Sequence, residues 1–168
     1  MTAFYTKMQL QFGLLKLKAI YPVKIYVKKF KLDGKLDVLP KQIVNPWHDL
    51  GSVLTIHKRL MDLLFNLTGL EKRALASKYL HFHRPDLFFI YDRRAKEAII
   101  KITPKLTKIK DIITEESDSE YHMFCRRSQY LHDSIREKYH KNLTPRQIDK
   151  ILLRISDRIE RERRKQKL

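Results

Sequence analysis

Apolar residues recur every three to four positions along most of the chain, the spacing that lines one face of a helix. Phe4, Met8, Phe12 and Leu15 place a first helix over 3–19. The period then changes in "YPVKIYVKKFKLDGKLDV", where Val23, Ile25 and Val27 alternate as in a strand and Asp33-Gly34 has the form of a turn. A small β-hairpin there is compatible with an otherwise all-α plan. Asn45-Pro46 breaks the chain before the next element. Residues 50–67 read as a helix with Val53, Leu54, Leu60, Met61, Leu64 and Leu67 facing inward, and Gly69 is placed to end it. A second helix covers 71–83 and closes at Arg84-Pro85, because proline disfavours a helical residue before it. An apolar run follows, and a further helix begins at or just after Asp92. Thr103-Pro104 and the acidic run "TEESDSE" mark a connection. Beyond it, Tyr121, Phe124, Ser128, Leu131 and Ile135 form a narrow inward stripe. The last helix has the clearest start: Thr144 as N-cap, Pro145 at its first position and Gln147 closing a capping box. Ile148, Ile151, Leu152, Ile155 and Ile159 supply its apolar face.

Composition supports the helical reading. Four glycines and six prolines in 168 residues are few breakers, and 43% hydrophobic content is enough to build a core. The chain reads as one all-α domain with a basic N-terminal segment over 1–42, a core over 50–101 and C-terminal helices over 119–166. Cys125 is the sole cysteine, which excludes an intramolecular disulfide and fits a reducing compartment. The apolar run "QFGLLKLKAIYPV" is interrupted by Lys16 and Lys18, so neither a signal peptide nor a membrane span is expected. A cytoplasmic protein without a membrane partner follows as the expectation.

Charge changes the picture more than composition does. Thirty-six Lys and Arg against 19 Asp and Glu give a net charge of +17. Residues 1–42 hold nine Lys and two acids, and residues 141–168 hold ten basic residues and four acids. The middle, 43–118, is nearly balanced, with thirteen basic and ten acidic residues. Two cationic ends around a neutral centre point to a polyphosphate partner, since each phosphate contact releases counterions. Nucleic acid, DNA or RNA, is therefore the expected partner, with protein partners in a larger complex as a further expectation. Lys28, Lys29 and Lys31 belong to the N-terminal patch.

The candidate chemistry lies between residues 50 and 100. Two helices joined by the short glycine-bearing turn "NLTGLEK" have the form of a helical hairpin. Turn amides and the N-terminus of its second helix can present N–H groups to a phosphate. "RPDLFFIYD" then delivers one carboxylate, Asp92, to the start of the next helix. Leu67-Thr68-Gly69-Leu70, the helix from Glu71 and Ile90-Tyr91-Asp92 together resemble the helix-hairpin-helix DNA glycosylase superfamily, which includes endonuclease III and 8-oxoguanine DNA glycosylase. The resemblance implies a helical glycosylase-like fold, DNA binding and base excision without a cofactor. It makes Asp92 the catalytic carboxylate, Lys72 the lysine nucleophile, and Thr68, Gly69 and Leu70 the phosphate-binding turn. Arg73 and Lys78 on the following helix, and Arg93 and Arg94 after the aspartate, are expected to meet phosphates. The residues themselves also give Asp92 a simpler role as an N-cap.

Other constellations were weighed beside it. His81 and His83 are two apart on a helix, so they point to nearly opposite faces and do not form a metal pair. His122 and Cys125 share a face without a third ligand at metal spacing, and no metal site is expected. Phe88, Phe89 and Tyr91 can stack on bases or fill the core. Arg127-x4-His132 resembles the R-x4–6-H signature of HEPN ribonucleases, which implies an alternative catalytic pair acting on RNA. A non-catalytic nucleic-acid-binding or adaptor subunit is the remaining alternative.

Overall fold

A computed structural model describes residues 45–105 and 117–166, all within one compact unit of the chain. The helix expected over 3–19, the hairpin expected over 21–38, and Lys28, Lys29 and Lys31 lie outside the described residues. The described residues are all-helical: α1 (Leu50–Thr68), α2 (Arg73–His83), α3 (Arg93–Ile102), α4 (Ser119–Tyr139) and α5 (Pro145–Lys165). No helix among them is long and apolar enough to cross a membrane.

Each boundary has a local cause. α1 ends where Gly69 takes φ 68° and its N–H bonds back to the Phe65 carbonyl. Glycine adopts this left-handed conformation without a Cβ clash. α2 starts at Arg73, two residues later than the sequence pattern places it, because Leu70 and Glu71 complete the turn. α3 begins on Asp92, whose Oδ1 accepts the Ala95 N–H at 2.9 Å. α4 begins on Asp118, the fifth residue of the acidic run, which caps Tyr121 N at 2.8 Å. α5 has the full capping box: Gln147 N donates to Thr144 Oγ1, and Thr144 N donates to Gln147 Oε1.

The core joins all five helices. α1 packs against α2 and α4, while α3 lies between α4 and α5, chiefly against α5. Val53, Leu54, Leu60, Met61 and Leu64 are buried as their spacing predicts, whereas Leu67 is half-buried. His57 completes that stripe with no exposed surface. On α4, Tyr121, Phe124 and Ser128 are buried, but Leu131 and Ile135 are only half-buried. His122, Cys125 and His132 are buried on that helix instead, so its inward face is wider and more polar than the apolar stripe alone shows. On α5, Ile148, Leu152 and Ile159 are buried against α3, while Ile151 and Ile155 are half-buried.

Candidate functional site

The segment from Phe88 to Tyr91 has no regular secondary structure and is buried apart from the half-buried Ile90, so its backbone groups need partners that neither a helix nor a sheet supplies. Side chains supply them. Tyr121 Oη donates to the Phe89 carbonyl at 3.0 Å and accepts Phe89 N at 3.2 Å. Ser77 Oγ accepts Tyr91 N at 3.0 Å and lies 3.1 Å from the Tyr91 carbonyl. His81 Nδ1 sits 2.7 Å from the Phe88 carbonyl, which fixes its proton on that nitrogen. Arg84 and Asp86 pair across the turn that enters the segment, at 3.0 and 2.6 Å. Phe88, Phe89 and Tyr91 are core residues; none presents a face for stacking bases. The clamp delivers Asp92 to one fixed place.

At that place the carboxylate meets an amine. Asp92 Oδ2 lies 3.6 Å from Lys78 Nζ, which comes from the middle of α2 and is partly exposed. Phe82, one turn further along α2 on the same side, is 70% exposed. Asp149, in the first turns of α5, adds a second half-buried carboxyl within electrostatic reach of Asp92. Burial raises its pKa above the usual carboxylate value; His81, Arg146 and Lys78 pull it down, and the Asp92 charge pushes it further up. This part of the surface thus holds an amine, two carboxyls and an exposed aromatic ring.

The other residues singled out from the sequence are spread around the molecule. Thr68 Oγ1 donates to the Leu64 carbonyl at 2.8 Å and accepts Leu70 N at 3.2 Å, so the turn amides of Gly69 and Leu70 are already engaged. Lys72 is the N-cap residue of α2 and makes no side-chain cap there. Six residues separate it from Lys78, about 9 Å along a helix. Arg73 turns inward. Its Nε lies 2.5 Å from Asp118 Oδ1, its Nη2 2.8 Å from Oδ2, and its Nη1 3.3 Å from Glu120. The hydrogen bonds to Asp118 hold the guanidinium above its ordinary pKa. Burial pushes the Asp118 carboxyl up, but the bonds from Arg73 and Tyr121 N outweigh it and hold the group low. Glu71, Asp118 and Glu120 therefore gather negative charge beside the first turn of α2.

Arg93 is exposed, and Arg94 pairs with Asp157 and with Ser156 Oγ at 3.2 Å, both on α5. Arg127 closes the end of α3, with Nη1 2.5 Å from Thr103 Oγ1 and 2.9 Å from the Pro104 carbonyl. His132 is buried elsewhere, stacked on Trp47 with centroids 4.2 Å apart and 3.0 Å from Asp133. Arg127 and His132 thus face different partners. His81 is buried and His83 is exposed, on opposite sides of α2 as their spacing requires.

Sequence reasoning missed three participants. Asp149 carries no motif, Phe82 reads as one more apolar residue, and the pairing of Lys78 with Asp92 depends on how α2 docks on the extended segment. The i,i+4 relation of Lys78 and Phe82 was the only signal available. Among the described residues, no group of three or more His, Cys, Asp and Glu is placed to hold a metal ion. No protein-family model matches the chain, and neither a curated protein nor a solved structure matches it.

Proposed function

We propose that the protein binds DNA and excises a base from it at the Lys78–Asp92 pair. The observation that carries this reading is an amine and a carboxylate 3.6 Å apart at the start of a helix, on a partly exposed surface. Breaking an N-glycosidic bond leaves positive charge on the sugar. A carboxylate already held in place by the Ala95 amide stabilises that charge without reorganising. The Lys78 amine, once its proton has passed to a carboxylate or to water, can add to the sugar carbon that the base leaves. The departing base needs a proton, and Asp149 is the nearby group whose burial favours the protonated form. Phe82 offers a flat exposed face to a nucleotide turned out of the duplex. The likeness of residues 67–92 to the helix-hairpin-helix DNA glycosylases supports the same reaction, with Lys78 in place of Lys72 as the amine.

The test is borohydride trapping on duplexes that carry damaged or modified bases. Wild type and Lys72→Ala should be trapped as covalent adducts, and Lys78→Ala should not. Asp92→Asn should melt like wild type, because an Asn oxygen still caps the helix. Its turnover should fall by about 10²–10³, the usual effect of losing one such electrostatic group. Duplex binding with no excision of any substrate would replace this reading by a non-catalytic binding subunit.

A further inference from the structure

Beyond the excision site, α5 carries a second feature. Arg154, Arg158, Arg161 and Lys165 recur at intervals of four, three and four residues, so they stand in one row along the helix. Eleven residues of helix extend about 16 Å, which puts one cation on each turn. The row shares an open face of α5 with the half-buried Ile151 and Ile155. Other cations of the same helix are neutralised: Arg163 reaches Glu97 at 3.1 Å and Arg164 reaches Glu160 at 3.4 Å. Among the described residues, none of the four in the row has an ion pair.

We propose that this face of α5 is a track for the phosphate backbone of duplex DNA. Four cations along one helix, without an ion pair among the described residues, repel one another, and a row of phosphates relieves that repulsion while releasing counterions. The sign excludes a second copy of the same face. A lipid surface would ask for large apolar side chains on the bound face, and this one has two half-buried isoleucines and Glu162. A single strand would ask for aromatic platforms beside the cations, and the row has none. A rigid duplex fits a rigid row. The inference rests on DNA as the substrate class but not on excision.

The experiment is fluorescence anisotropy with a short undamaged duplex between about 50 and 200 mM salt. Arg154→Gln with Arg158→Gln should lower the slope of log K against log salt by about 1.8, or about 0.9 for each lost contact. The control, Arg163→Gln with Arg164→Gln, removes the same charge from the same helix and should lower it by less than half as much. Both pairs of substitutions should leave the melting temperature near that of wild type, since these side chains are exposed and Gln is a good helix former. An unchanged slope in the first variant, or equal losses in the two, overturns the α5 track while leaving the excision reading standing. So does tighter binding of the corresponding single strand or RNA duplex, or capture by anionic phospholipid vesicles lost in the same variant. Failure of the wild type to bind any duplex overturns both readings.

Discussion

Burial keeps the His57 imidazole neutral and lowers its pKa to about 4. The ring stacks on Tyr121 with centroids 3.6 Å apart, and its Nε2 donates to the Arg73 carbonyl at 3.3 Å. That leaves Nδ1 as a buried acceptor with no partner. The sign of its effect on stability follows. In the unfolded chain the ring gains a proton near pH 6.5, whereas in the fold it resists until about pH 4. The unfolded state therefore binds more protons between these values, and stability falls as the pH falls through that window. The whole effect is on the order of 3 kcal/mol, at 1.36 kcal/mol for each pKa unit. Phe can replace His57, because the Arg73 carbonyl still has its helical partner. In urea unfolding, wild type should lose stability relative to His57→Phe as the pH drops from 7 to 5. A constant offset across that range would refute the neutral buried ring.

The same residues act differently once they are parts of elements. α4 and α5 both start on a side-chain cap, but Asp118 also receives the half-buried guanidinium of Arg73. Thr144→Ala should cost about 0.5–2 kcal/mol, the range for a lost cap. Asp118→Ala should cost on the order of 3 kcal/mol, because it also strands a partly buried cation. Arg164→Ala, exposed on the last turns of α5, should stay within about 0.5 kcal/mol. Denaturant midpoints check the order, and similar losses for Asp118→Ala and Thr144→Ala would show that the Arg73 pair contributes nothing. The start of α5 was legible in four residues, Thr144 to Gln147, because caps are local chemistry. Most of the apolar face of α1 was legible from its spacing; Leu63 and His57, both buried, were missed, and Leu67 is only half-buried. Asp118 and Glu120 were hidden in an acidic run that reads as solvated; their roles appear only when α4 brings them to Arg73, Tyr91 and Lys96. Asp92 was legible as a cap, but its amine was not. Nothing in the spacing of Lys78 and Asp92 tells that Ser77 and His81, one residue before Lys78 and three after it, anchor the intervening chain.

For the molecule as a whole, charge and order are divided between different regions. The cations of α5 that lack an ion pair among the described residues lie along one surface, while the segment that ends at Asp92 runs through the interior. That segment is a connection between helices, the kind of stretch that ordinarily opens easily to solvent. Here its amides are tied to side chains from α2 and α4, so no local motion frees them without breaking the contacts of both helices. Deuterium uptake should make the difference visible. The Phe89 and Tyr91 amides should exchange as slowly as those in the middle of α1, through global opening alone. The amide of the exposed Leu70, in the other connection and bonded to the half-buried Thr68, should exchange through small fluctuations, orders of magnitude faster. A loop that opens only when the protein unfolds cannot serve as a lid. A nucleotide arriving at Asp92 would meet a surface already in its working shape, with the deformation left to the DNA.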